Sequence, residues 1–315
     1  MYTNEKRTGK APINPFTDWG FKYLFGREEN KELLKGFLNL LLEPEVNICD
    51  LQYLNTELLG DRPELKRCVV DVLAADEDGN KYLIEMQNAT DHDIRQRLVY
   101  YSCRLVDQMG QHSSEWDYGQ IKRVFAICMM NFTYERNATL REDYQLRNPK
   151  GDRLFSDLLT IIPLQLPCIK AKNVAACRKS YEVLLYLLQS MSRKTRTKEE
   201  LLAELDGLDL PEQTLATFRR VVNTVEEDLS ESERRDYEVD LEKYIKTMGM
   251  IRSGREEGWQ EGWQEGREEG REEGREEGRT ERSREIAKLM KEKGYPIVDI
   301  CTLSGLTEDE VAALS

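Results

Sequence analysis

The sequence predicts an α/β core followed by a helical region and a charged Gly-repeat tail, on three observations. Two strand-like runs flank a tight-turn cluster and set acids opposite one another. Segments with apolar residues at helical spacing lie on both sides of them. Past residue 250, glycine recurs every fourth residue among Arg and Glu.

The two runs are Arg67-Cys-Val-Val-Asp-Val-Leu-Ala and Lys81-Tyr-Leu-Ile-Glu-Met-Gln, both rich in Val, Ile, Leu and Tyr. Between them, Asp76-Glu77-Asp78-Gly79-Asn80 accepts tight-turn dihedrals, so the whole reads as a hairpin. Symmetry about Asp78 sets Asp71 opposite Glu85, each seven residues from that centre. Directly opposed residues share a face, with Cβ atoms roughly 4.5–5.5 Å apart. The strand period of two adds Gln87 to that face and sends Val70, Val72, Ile84 and Met86 to the other.

Two carboxylates this close repel unless one is protonated or a cation lies between them. Mg²⁺ answers that need with oxygen ligands, usually one or two carboxylates plus waters and a substrate phosphate. Such an ion acidifies a water, polarises a phosphoryl oxygen and steadies the leaving alkoxide. Gln87 can orient a water by hydrogen bonding but cannot deprotonate it, because an amide has no useful pKa. The competing reading of Asp71 and Glu85 is an exposed acidic strand face.

Further segments accompany the acids: Asn14-Pro-Phe-Thr-Asp-Trp-Gly-Phe-Lys-Tyr-Leu-Phe-Gly near the start, and Arg97-Leu-Val-Tyr-Tyr-Ser-Cys-Arg after the hairpin. With Asp71…Glu85-x-Gln87 and the Glu-Gly spaced tail, their order and spacing resemble the recombination-promoting nuclease/putative transposase family of the PD-(D/E)xK nuclease superfamily. The resemblance implies a mixed sheet flanked by helices and a DNA endonuclease linked to recombination or transposition-like events. It also implies metal ligation by Asp71 and Glu85, with Mg²⁺ or another divalent cation such as Mn²⁺ or Ca²⁺, and Gln87 in the third active-site position. Asp18 and Lys22 match the amino-terminal box, where the superfamily often places an additional acid. The usual Lys of the triad is Gln87 here and no Pro precedes Asp71, which keeps open a catalytically degraded relative acting by DNA binding or tail-mediated assembly.

Each accessory residue has a plainer alternative. Asp18 is an N-cap or a metal or water contact. Lys22 is a phosphate contact, a partner of an active-site acid or a solvated helix lysine. Arg97 lies one turn from Tyr101 on a helix face, as a phosphate contact or a lid over a core-edge ring.

The net charge of −13 excludes a protein that coats nucleic acid by global electrostatics, which requires clustered Lys and Arg. A local basic groove remains compatible, because residues 252–282 alone hold 7 Arg against 11 Glu. No apolar stretch approaches the roughly 20 residues that span a bilayer, and the first residues lack a signal-like apolar run, so a cytoplasmic location is expected. Seven cysteines without Cys-x-x-Cys spacing read as free or buried thiols, and His92 and His112 as helix-surface or helix-end residues.

The expected organisation is a nuclease-like core over 1–175, a helical region over 176–250, the repeat over 251–282 and a terminal helical unit over 283–315. Within the core, residues 1–13 read as loose, with helices at Asp18–Phe25 and Asn30–Leu42 and a strand near Ile48–Asn55. The hairpin follows, then an amphipathic helix at Asp91–Gln111 and a buried strand at Ile121–Phe132. Asp143–Arg147 and Leu154–Leu166 should complete the sheet edge, limited by Pro163. Tyr181–Met191, Glu199–Leu205, Gln213–Val225 and Ser232–Met248 read as helices, either a subdomain or a cover for the sheet.

In the repeat, each glycine costs about 1 kcal/mol against alanine in a helix, and i, i+4 neighbours carry like charges. An isolated stable helix is therefore not expected. The segment reads as a solvated linker, or as a helix formed against a second copy in a homo-oligomer. Beyond it, Ile297–Leu303 and Thr307–Leu314 resemble a small helix-turn-helix unit with a Thr307-x-x-Glu310 capping box. Its acidic opening favours helix pairing over DNA reading.

Overall fold

The computed structural model describes residues 11–58, 68–91, 93–110, 116–135, 137–224 and 226–314. The expectations for residues 1–10, His92 and His112 fall outside them. The chain divides into two compact units between Met248 and Gly249.

The first unit opens with Ile13, expected to be loose but buried against Leu229 and Tyr237. Helix α1 spans Asp18–Phe25. Its cap is Thr17, whose hydroxyl accepts the Gly20 N–H, and Asp18 sits inside the first turn. That corrects the N-cap reading of Asp18, and an acid in the first turn still favours the helix dipole. Helix α2, Lys31–Leu42, buries Leu33, Leu34, Phe37, Leu38, Leu41 and Leu42, the stripe its sequence spacing provides.

Short strands β1 (Leu51–Tyr53) and β2 (Glu57–Leu58) lead to β3 (Cys68–Val69) and then to the hairpin of β4 (Val72–Asp76) and β5 (Lys81–Gln87). Helix α3 (Ile94–Asp107) crosses back to β6 (Val124–Met130), followed by β7 (Tyr144–Arg147) and β8 (Leu154–Gln165). The order β1-β4-β5-β6-β8-β7 makes a six-stranded sheet, and β2 pairs with β3 separately. Strands β5, β6 and β8 run parallel and the other pairs are antiparallel, so the sheet is mixed.

Strands β8 and β7 complete that side of the sheet as expected, with β8 between β6 and β7 and β7 outermost. Pro163 falls in the gap between the Tyr144↔Ile161 pair and the isolated Arg141↔Leu164 bridge. An interrupted ladder is where a strand accommodates a missing N–H.

Strand β6 is buried along its whole length, as expected for a strand covered on both faces. One face carries Val72, Tyr82, Ile84, Phe125, Ile127 and Met129 against α1, α2 and three later helices. These are α4 (Ser180–Arg193), α5 (Lys198–Asp206) and α6 (Glu212–Asn223), whose Leu184, Leu188, Leu201 and Phe218 join the same core. They cover the sheet. The opposite face packs Leu73, Leu83, Val124, Ala126, Cys128 and Met130 against Ile94, Leu98 and Leu105 of α3.

Helix α7 runs Glu231–Glu292, through the repeat where no isolated helix was expected. Its glycines have open space where a Cβ would stand, so nothing among the described residues packs there to offset their helix cost. Cooperativity supplies a reason: helical residues already stand on both sides of the repeat, and propagation is far cheaper than nucleation. In the second unit, Gly294 turns left-handed at φ 79° and α8 (Ile297–Ser304) and α9 (Glu308–Ala313) follow. Thr307 and Glu310 form the expected capping box, and Ala287, Ile300 and Val311 make a small core. The cysteines at 49, 103, 128, 168, 177 and 301 are free thiols.

Candidate active site

The β4–β5 register is Val72↔Ile84, Leu73↔Leu83, Ala74↔Tyr82 and Ala75↔Lys81. Carried one residue further, it sets Asp71 opposite Glu85. Hydrogen-bonded pairs recur at every second residue of an antiparallel ladder, and the Asp76 N–H bonds the Asn80 carbonyl. The next pairs of that type are 74/82 and 72/84, then 70/86, so 71/85 is a non-hydrogen-bonded pair, the closer kind.

The chain bends at Asp71, and the ladder ends there. The Val70 N–H turns to the Thr56 carbonyl at 3.1 Å, while the Asp71 carboxylate accepts the Met86 N–H at 2.9 Å. The bend rotates Val70 onto the α3 face, away from Val72, Ile84 and Met86. The expectation that all four share a face therefore fails at Val70.

Glu85 points to the α3 face and is only 5% exposed. Cys128 lies directly beside it on β6 and Met130 beside Gln87, so sulfur and hydrocarbon line the neighbouring strand. Burial raises the Glu85 pKa well above the usual carboxylate range, and the Asp71 charge pushes it further. Arg97, a hydrogen bond from the Asp71 backbone and one with the Gln87 side chain oppose the shift. Asp71 is also raised, first by burial and then by Asp18, against the Met86 hydrogen bond and the charges of Lys22 and Arg97.

All six sequence-selected residues therefore belong to one electrostatic neighbourhood. Lys22 pairs with Asp18 at 2.8 Å across one helical turn. Burial lowers the Lys22 pKa, but Asp18, with Asp71 and Asp240 at longer range, more than offsets this and leaves it raised. Arg97 holds Asp91 at 2.8 Å, and Tyr101 packs at the edge of the α3 core.

Three buried side-chain atoms among the described residues lack a hydrogen-bond partner, and all three are here: Glu85 Oε1, Asn88 Oδ1 and Arg97 Nε. An orphaned buried polar atom costs roughly 1–3 kcal/mol. Two acceptors and one donor without partners, beside paired acids, fit a divalent cation, its waters and a phosphate oxygen. No group of three or more His, Cys, Asp and Glu with metal-site geometry occurs among the described residues, so protein carboxylates at this site would number two.

A family model described as a PD-(D/E)XK nuclease family transposase matches residues 15–248. The chain belongs to this family. No curated protein and no solved structure matches it. For a PD-(D/E)XK nuclease family transposase, the mixed sheet flanked by helices is the consistent fold, and divalent ions and DNA are the general cofactor and substrate. The matched region contains the hairpin, the amino-terminal box from Pro15 onward and the α4–α6 cover, and leaves out the glycine repeat.

Sequence reasoning missed Asn88 and Asp91. Asn88 donates from Nδ2 to the Phe16 carbonyl at 2.7 Å, which fastens the amino-terminal box to the end of β5. Its position directly after Gln87 was the available signal. Asp91 had none, since its link to Arg97 depends on the turn into α3.

Proposed function

We propose that this PD-(D/E)XK family chain is a Mg²⁺-dependent deoxyribonuclease, an endonuclease that hydrolyses DNA phosphodiesters in recombination or transposition-like events. The observation that carries the reading is the pairing of a half-buried Asp71 with a buried Glu85, both with ionisation penalised by desolvation, and the unpartnered Oε1 of Glu85. Asp71 and Glu85 would hold the ion; when bound, it supplies Lewis acidity toward the phosphate and an acidified water.

The chain's own residues do the rest. The Met86 N–H fixes the direction of the Asp71 carboxylate. Gln87, hydrogen-bonded with Glu85, orients the attacking water without accepting its proton. Arg97 Nε, buried and unpaired, donates to a phosphate oxygen, and Lys22 neutralises charge beside Asp71. Asp18 acts through Lys22, which it holds in place.

Gln87 favours a second reading, a nuclease-derived protein that binds DNA without cutting it, since no ordinary base stands in the third position. Titration of Mg²⁺ or Mn²⁺ into purified protein with supercoiled plasmid separates the two. Nicked and then linear product that appears with the ion supports the endonuclease. Retention of the plasmid in a gel-shifted complex with no nicking at any ion concentration supports the second reading.

A further inference from the structure

The hairpin of β7 and β8 reaches beyond the sheet. Strand β8 pairs with β6 only from Leu159 to Gln165, and its earlier residues pair with β7 alone, through Leu146↔Ser156 and Arg147↔Leu154. Arg123 at the start of β6 clamps the base of this arm by bonding Asp157 at 3.3 Å. The tip is a built turn. The Asn148 side chain donates to Asp152 at 2.6 Å and accepts the Arg153 N–H at 3.0 Å, and Gly151 supplies the left-handed residue at φ 75°.

This arm carries apolar bulk into solvent. Phe155 is 86% exposed, Leu146 55% and Leu154 48%. Interleaved with them are Arg147, Lys150 and Arg153 against the single acid Asp152, a net +2 over residues 147–153 in a chain of −13. Among the described residues none of these three bases forms an ion pair, and Arg147 bonds only the Gln145 amide at 3.2 Å. Asp152 is already engaged by Asn148. A two-stranded ribbon whose basic side chains have no ion pair among the described residues and whose apolar side chains are exposed matches a duplex groove, which admits such a ribbon. Its phosphates match the charge.

We propose that the β7–β8 hairpin is a second DNA contact, with Arg147, Lys150 and Arg153 on phosphates and Phe155 against the groove wall. The inference rests on the DNA-cleaving function proposed above. The parallel register aligns Glu85 with Cys128 and Pro163, so the arm lies toward the amino-terminal end of β8. From Pro163 the separation along the strand is roughly 26 Å to Phe155 and roughly 33 Å to Arg153 at about 3.3 Å per residue, or about eight to ten base pairs.

The test is fluorescence-anisotropy titration of the full chain with a labelled 30-base-pair duplex in EDTA, at several salt concentrations. It compares wild type with R147Q/K150Q/R153Q and with F155S. The triple variant is expected to bind about tenfold or more weakly at low salt, with the slope of log K against log salt reduced by about 2.7 for three phosphates. F155S should weaken binding with the slope unchanged. Wild-type affinity and slope in the triple variant would overturn the proposal, as would absence of wild-type binding. A change in sedimentation in place of binding would also overturn it and assign the arm to a second copy of the chain. Because EDTA removes cleavage from the readout, loss of nicking alone would count against the proposed chemistry and leave this result standing.

Discussion

The Asp71 carboxylate accepts the Met86 N–H at 2.9 Å, in the place where an uninterrupted ladder would set the Val70 carbonyl. One substitution thus does two things: it caps the end of a strand and leaves a carboxylate beside Glu85. The two roles can be separated. Asp71→Asn keeps an acceptor for Met86 and removes the charge, whereas Asp71→Ala leaves a buried N–H unpaired. In EDTA, urea unfolding should find Asp71→Asn at least as stable as wild type and Asp71→Ala about 1–3 kcal/mol less stable than Asp71→Asn. Equal stability of the two variants would contradict the capping role.

The raised pKa of Glu85 fixes the sign of a pH effect. Burial holds its folded value well above that of an ordinary glutamate, so the folded state binds a proton that the unfolded state releases. The associated stability is fully present below about 4.5 and is lost as pH rises through the folded value. Glu85→Gln should therefore be more stable than wild type in EDTA at pH 7–8, by about 1–3 kcal/mol, and the difference should shrink toward pH 4. Saturating Mg²⁺ should stabilise wild type and not the variant. A variant equally or less stable across this whole range would count against the raised folded pKa of the buried Glu85.

How much of this was legible follows from the physics of each element. The hairpin register could be read because a turn cluster and two β-rich runs leave one centre of symmetry, Asp78, and the ladder pairs Val72 with Ile84 accordingly. Helix α2 could be read because its apolar stripe is strict. Val70 could not, because a bend replaces a backbone acceptor with a side chain, and pattern carries no record of that exchange. Which of β7 and β8 lies outermost was not legible, because Pro163 is a local edge signal and yet falls in a strand paired on both sides, opposite an interruption in its antiparallel neighbour. Cys128 beside Glu85 depends on a parallel crossover through α3, which local sequence does not encode.

Asn88 ties the amino-terminal box to the end of β5 through the Phe16 carbonyl. Asn88→Ala should cost about 1 kcal/mol of stability. It should also loosen Asp18 and Lys22 relative to Asp71, so that nicking falls by about tenfold while Mg²⁺-dependent stabilisation is retained. Unchanged nicking would leave Asn88 a purely structural residue.

For the repeat, no described residue approaches the glycine Cβ positions, which leaves the flanking helix to sustain the helical conformation. A peptide of residues 254–282 should show little helical circular dichroism when dilute, since each glycine costs about 1 kcal/mol, and should gain helicity on extension to residues 231–292. Strong helicity in the dilute short peptide, independent of concentration, would contradict propagation from the flanks. Helicity that rises with concentration would indicate association between copies.

Asp71 and Glu85 are proposed to form the cutting site together. The most direct measurement is Mg²⁺-dependent nicking of supercoiled plasmid by wild type, Asp71→Asn and Glu85→Gln, each first shown to be folded by circular dichroism. Wild type should nick, and each variant should be slower by about 10²–10³-fold or more, the equivalent of several kcal/mol of transition-state stabilisation. Nicking by either folded variant at the wild-type rate would contradict the account.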